Sequence, residues 1–187
     1  MENRSYQTKL ETRSNEDKTV SVKGTAIVFD KDSVDMGFIE RVERSALDNV
    51  NLDDVMLVYG HDINNIIART SAKTLNLTID DVGLHFEGNI PDTMLGRDLT
   101  TNINNGNLQG NSFGFTIADD DWEERDGQFF HIIKRIGELV EISLTPYPAY
   151  KDTDLEISMR SLNNFKESQV KNEKLKRELN KLKPFDI

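Results

Sequence analysis

Residues 19–29, Thr-Val-Ser-Val-Lys-Gly-Thr-Ala-Ile-Val-Phe, alternate apolar and polar side chains and are rich in β-branched residues, which predicts a strand ending in the polar turn at 30–33. Residues 39–42 predict a short strand, residues 44–50 a turn or two of helix, and the apolar run 55–59 a further strand. Residues 68–79 and 84–90, joined by Asp80-Asp81-Val82-Gly83, predict a β-hairpin with a glycine-bearing turn. One helix is expected over residues 91–105, with Pro91 near its start, Leu95, Leu99 and Ile103 at four-residue spacing, and Gly106 where it would stop. Strands are then predicted at 112–117, 128–136 and 139–144. The acidic stretch 118–127 separates the first two, and Pro146 and Pro148 close the last. About seven strands, one or two helices and no regular strand–helix alternation predict a mainly β fold with peripheral α, an antiparallel barrel or sandwich rather than a doubly wound sheet.

The two ends depart from this pattern. Residues 1–18 are polar and charged, reading as a loose arm or an edge strand. Residues 161–187 carry seven Lys/Arg against four acids, a net +3 that leaves −13 on residues 1–160. Leu175, Leu179 and Leu182 share one helical face there, so a short amphipathic helix is expected, either solvated or docking on a partner. The expected organisation is an arm at 1–18, one domain at 19–160 and a basic helical tail at 161–187, which suits a chain of 187 residues that is 36% apolar.

Charge and composition then narrow the chemistry. A net charge of −10 disfavours nucleic acid and anionic membrane as partners, since both bind by having their phosphates neutralised. No apolar run is long enough to cross a bilayer and the N-terminus has no hydrophobic signal core, so a soluble, non-exported chain is expected. With no cysteine there is neither a disulfide nor a thiolate nucleophile, and nucleophilic catalysis must use oxygen or nitrogen.

One residue of each type needed for such catalysis stands in a suggestive context. Ser112 lies in Gly110-Asn111-Ser112-Phe113-Gly114-Phe115, where strand alternation puts Phe113 and Phe115 toward the core and Ser112, Gly114 and Thr116 on the other face. Gly-x-Ser-x-Gly also matches the nucleophile elbow of α/β-hydrolases, but a β-run rather than a helix follows Ser112, and the last histidine is His131. His61 ends the apolar strand Met56-Leu57-Val58-Tyr59 after Gly60, at a point where strands hand side chains to sites. Glu141 faces the same side as Ser143 if Val140, Ile142 and Leu144 point inward. Base, nucleophile and orienting acid are thus all available, because a serine hydroxyl needs an imidazole to take its proton and a carboxylate to fix that imidazole. A solvent-facing serine and a structural histidine are the plain alternatives. Arg69 could sit near a developing oxyanion, with Phe113 and Gly114 as further substrate-side candidates. His61, His85 and His131 have no metal-ligand spacing, so no metal or other cofactor is expected.

Taken in order, Gly24-Thr25-Ala26-Ile27-Val28-Phe29, Tyr59-Gly60-His61-Asp62 leading to Ile67-Ala68-Arg69-Thr70, Gly83-Leu84-His85-Phe86-Glu87-Gly88, Asn111-Ser112-Phe113-Gly114-Phe115 and Glu138-Leu139-Val140-Glu141-Ile142-Ser143-Leu144-Thr145-Pro146-Tyr147-Pro148-Ala149 resemble the tailed-phage prohead serine proteases, relatives of the herpesvirus assemblin proteases. The resemblance implies a seven-stranded, mostly antiparallel β-barrel of the herpesvirus-protease type. It implies His61 as general base, Ser112 as nucleophile and Glu141 as third member. The job it implies is that of a serine endopeptidase, packed inside the immature capsid in the bacterial host cytoplasm, which cuts scaffold or the scaffolding segment of the capsid protein, and then itself. Capsid protein and scaffold are the partners implied, with self-association left open. The herpesvirus relatives use a second histidine as third member and arginines near the oxyanion, whereas this chain offers Glu141 and no paired arginines after Ser112; Glu138 and His131 are the fallback third members. A non-catalytic scaffold-binding assembly protein on the same fold, and a small-ester hydrolase, are the alternatives in function.

Overall fold

The structure, a computed structural model, describes residues 1–6, 10–14, 20–146 and 152–181, with side chains at 1–4, 10–13, 20–146 and 161–179. In chain order its strands are β1 (Glu2–Tyr6), β2 (Glu11–Ser14), β3 (Val20–Val28), β4 (Ile39–Val42), β5 (Met56–Tyr59), β6 (Asp62–Arg69), β7 (Leu75–Ile79), β8 (Gly83–Ile90), β9 (Gly110–Arg125) and β10 (Gln128–Thr145). Helix α1 (Met94–Asn104) lies between β8 and β9, and α2 (Asp152–Lys181) follows β10. The strands form two sheets. One runs β1-β9-β10-β5-β6, with β4 also on β10, and the other runs β2-β3-β8-β7. The chain divides into a unit at Met1–Tyr150 that holds both sheets and a second at Lys151–Ile187.

The fold is mainly β, as expected, with a curled half-barrel sheet and two helices. Its strands are mostly antiparallel; β4 and β5 are the two that pair with β10 in parallel. The described residues contain ten strands where about seven were expected. Part of the excess is the polar arm, whose β1 and β2 pair with β9 and β3 as edge strands. Another part is the reading of 68–79 as one strand, which the structure breaks at residues 70–74: Lys73 turns back to Thr70 at a positive φ of 58°, so that β6 ends at Arg69 and β7 starts at Leu75.

The acidic stretch 118–127 is likewise strand rather than separator. β9 continues through it to Arg125, and Asp126 and Gly127, at φ 52° and 82°, make the two-residue turn into β10. Charged residues are poor strand formers alone, but here each gains a cross-strand neighbour. Lys134 Nζ donates to Asp121 at 2.8 Å, and Trp122 is buried against Phe38 at a centroid distance of 5.1 Å. Four register shifts between Ile133 and Glu141 bend β10 along its length.

Helix α1 begins three residues later than its Pro91 signal. Thr93 is the N-cap, its hydroxyl accepting the Gly96 N–H at 3.0 Å. Leu99 and Ile103 are buried, and Gly106 closes the helix at a φ of 73°. The core lies between the sheets, where Val22, Ala26, Leu84 and Phe86 of one meet Leu57, Phe113, Phe115, Ile142 and Leu144 of the other. The sheets come close at Gly88, where a Cβ would stand 2.6 Å from Leu57 Cδ2. Leu57→Ala would open a cavity at this contact and is expected to cost about 2–5 kcal/mol, read as a lower urea midpoint at unchanged slope.

Candidate active site

The site is organised by β10, which uses both edges. Its last residues pair antiparallel with β9, Ser143 opposite Ser112 and Glu141 opposite Gly114, and in parallel with β5, Ser143 opposite Val58 and Leu144 opposite Tyr59. Since side chains alternate and opposed residues share a face, Ser112, Gly114, Glu141 and Ser143 all project from one side of the sheet.

The turn after β5 brings the histidine to that side. Gly60 and His61 both adopt left-handed backbone, at φ 66° and 61°. That conformation suits glycine and costs a histidine, so it persists only where neighbours fix it. Two bonds to β10 do so: Gly60 N–H donates to Leu144 O at 3.1 Å, and His61 N–H donates to Ser143 Oγ at 2.8 Å. His61 Nδ1 then lies 2.7 Å from Glu141 Oε1, an ion-pair distance between residues 80 apart in sequence. A carboxylate oxygen can only accept, so Nδ1 carries the proton and Nε2 is left as the basic atom. The glutamate side chain is 2% exposed and the histidine 18%, so the pair is sheltered with the imidazole still reachable from solvent.

Gly114 is what lets Glu141 lie across β9. A Cβ there would stand 2.7 Å from Glu141 Oε1, closer than such atoms approach, and 3.1 Å from its Cγ, a tight contact, so the glutamate would have to shift. Ser112 is fully buried, and its hydroxyl donates to the backbone carbonyl of Arg4 on β1 at 2.9 Å. The structure therefore brings His61 and Glu141 into contact, sets Ser112 on the adjacent strand of the same face, and directs the Ser112 hydroxyl to β1.

The remaining candidates have other surroundings. Phe113 is a core residue stacked near Phe115 at 4.9 Å, and Gly114 makes room for Glu141. Arg69 ends β6 in a two-pronged ion pair with Asp54 at 2.5 and 2.6 Å. Glu138 is exposed. His131 is buried between Glu40 and Asp120, at 2.9 Å from Nδ1 and 2.6 Å from Nε2, and stacks on Trp122 at 4.3 Å. His85 sits on the other sheet beside Thr25 Oγ1 at 3.0 Å. Among the described residues no group of three or more His, Asp or Glu is placed to hold a metal, and no helix is long and apolar enough to cross a membrane.

Three participants were not singled out from the sequence. Ser143, which anchors the histidine turn, was visible only as sharing Glu141's side. Glu40 had a signal, since alternation in Ile39-Glu40-Arg41-Val42 puts it in phase with buried Val42. Arg4 had none. Arg4 and Glu40 form a buried pair, at 2.5 Å from Nε and 2.7 Å from Nη2, and Glu2 also contacts Nη2. Burial works against charge in this cluster, but the opposed charges outweigh it. Glu40 is held at about 2 against its desolvation by Arg4 and His131, and His131 is raised to about 9 against its own by hydrogen bonds with Asp120 and Glu40.

The family model described as caudovirus prohead serine protease matches residues 8–168 of the chain. A search of the curated proteins gave no match. Among solved structures, that of the bacteriophage T4 capsid assembly protease, gp21, is similar, with a TM-score of 0.45 at 8% identity over 78% of this chain and 99% of that one.

Two outcomes follow from the site's electrostatics and packing. Glu40 contributes stability that is full above its ordinary value of 4.5 and is lost as pH falls toward about 2; His131 contributes stability that is full below 6.5 and is lost as pH rises through about 9. Urea unfolding should therefore show stability declining between pH 6.5 and 9 by on the order of 2 kcal/mol, and His131→Gln should flatten that slope. Gly114→Ala should displace the Glu141 carboxylate and lower activity at least as much as Glu141→Gln, with the fold retained by circular dichroism.

Proposed function

The chain belongs to the caudovirus prohead serine protease family, and on that premise we propose that Ser112, His61 and Glu141 are the nucleophile, general base and orienting acid of an endopeptidase acting on capsid and scaffold proteins. The observation that carries the reading is the 2.7 Å contact of His61 Nδ1 with Glu141 Oε1, on the face from which Ser112 projects. A buried carboxylate on Nδ1 fixes the tautomer that leaves Nε2 free to take a proton.

The steps are those of acyl transfer. The Ser112 hydroxyl turns from Arg4 O toward His61 Nε2, gives up its proton there and attacks the peptide carbonyl carbon. Glu141 stabilises the resulting imidazolium, and backbone N–H groups hold the tetrahedral oxyanion. The imidazolium returns the proton to the leaving amine as the C–N bond breaks. Water, deprotonated by the same imidazole, then hydrolyses the Ser112 ester and regenerates the hydroxyl. In this reading the substrates are scaffold, or the scaffolding segment of the capsid protein, and finally the protease itself, cut inside the immature capsid in the bacterial host.

The test is intact-mass spectrometry of the chain co-expressed with its capsid and scaffold proteins, beside Ser112→Ala and His61→Ala. Defined fragments should form with the parent and vanish with both variants, and Glu141→Gln should slow their formation on the order of 10³–10⁴-fold. Fragments that persist in Ser112→Ala would move the nucleophile elsewhere. Normal capsid assembly with no fragments at all would make the protein a scaffold-binding module, and turnover of small acyl esters alone would make it an esterase.

A further inference from the structure

We propose that the outer edge of β9 beside Ser112, with Glu40 at its floor, is the binding site for an extended peptide that presents an arginine, and that β1 of this same chain occupies the site in the resting protein. The substrate-side part of this rests on Ser112 being the nucleophile.

The occupant is seated as a peptide ligand would be. β1 lies antiparallel on β9 with Glu2 opposite Phe115, Arg4 opposite Phe113 and Ser5 opposite Ser112. A strand added to a sheet edge gains affinity from backbone bonds and selectivity from pockets for alternate side chains. Both are present. The Arg4 carbonyl accepts the Ser112 hydroxyl at 2.9 Å, which puts a backbone carbonyl of an extended chain at the attacking atom. The Arg4 side chain, 2% exposed, enters a pocket where both Glu40 oxygens meet its guanidinium and the Phe115 ring lies 5.6 Å from its central carbon.

The pocket's carboxylate has supports besides the arginine. Glu40 is itself 3% exposed and is braced by His131 Nδ1 at 2.9 Å, whose other nitrogen is braced by Asp120 at 2.6 Å. A carboxylate fixed in this way matches the planar fork of a guanidinium, which makes two parallel bonds, better than the point charge of an ammonium. Glu-Asn-Arg-Ser-Tyr is polar except for its tyrosine, and arginine recognition and strand pairing both contribute to holding it. A tethered strand competes with free peptide at an effective concentration in the millimolar range. β1 thus both reports the preference of the site and keeps Ser112 from a substrate until it is displaced.

The test uses the full chain with Arg4→Ala, which leaves Glu40 its bond to His131, and Arg4→Lys as the second variant if the first does not fold. Three measurements are made: hydrogen exchange of the β1 and β9 amides, the rate at which a fluorophosphonate labels Ser112, and binding of the fluorescent peptides Glu-Asn-Arg-Ser-Tyr and Glu-Asn-Ala-Ser-Tyr. The expected result is faster exchange of β1, labelling about tenfold faster than in the parent, and at least tenfold tighter binding of the arginine peptide, a preference that Glu40→Gln removes. Unchanged exchange and labelling, or equal binding of the two peptides, would overturn the proposal while leaving the protease reading intact. Arginine-selective binding with Ser112 never labelled and nothing hydrolysed would uphold the docking site and overturn the protease reading.

Discussion

Everything at the site hangs on β10 pairing along both of its edges at once. Because β9 runs antiparallel on one edge and β5 parallel on the other, one stretch from Glu141 to Leu144 fixes the register of the serine strand and of the histidine turn together. A slip of one residue on either side would turn the side chains of that strand to the opposite face. The carboxylate belongs to the same stretch, so the element that aligns the other two residues also supplies the third. Strand pairing makes such alignment rigid, and a rigid frame is what a nucleophile–base pair needs if it is to react without reorganising.

The left-handed histidine and the small residue opposite the glutamate are local costs that this frame supports. His61 at φ 61° is held by the Ser143 hydroxyl, and Gly114 gives up a side chain so that Glu141 can cross β9. Neither choice favours the strands themselves: glycine weakens a strand and a non-glycine residue strains a left-handed turn. Both are accounted for by the 2.7 Å contact they make possible.

The second charged cluster, Arg4 with Glu40, His131 and Asp120, follows a different logic. Removing charges from water can cost as much as their pairing returns, so a buried ion network adds less net stability than its contacts suggest, while its geometry admits few other partners. Here the network lies where β1, β4 and β10 meet, and it joins a polar N-terminal strand to a sheet that otherwise closes over apolar residues. An arginine in a braced carboxylate pocket ties that strand by a specific guanidinium–carboxylate pairing, the feature on which the proposed exchange for another arginine-bearing chain depends.

The sequence by itself determined the β character, since alternation and β-branching marked the strand at 19–29 and the runs near 55–59, 84–90, 112–117 and 139–144, and it determined α1 through its four-residue leucine and isoleucine spacing and Gly106. It also singled out His61, Ser112 and Glu141, because glycines beside His61 and Ser112, and the phase of Glu141 with Ser143, leave traces in a short window. What it could not carry were features set by distant partners. The acidic arm of the β9–β10 hairpin is strand because Lys134 and His131 of β10 meet Asp121 and Trp122 from across the pairing. β1 is strand because β9 offers an edge, and Arg4 is buried because Glu40, 36 residues away, waits in the sheet. Local propensity is written into neighbouring residues, whereas register, edge occupancy and the pairing of buried charges exist only once separate segments meet, and those were decided by the tertiary structure.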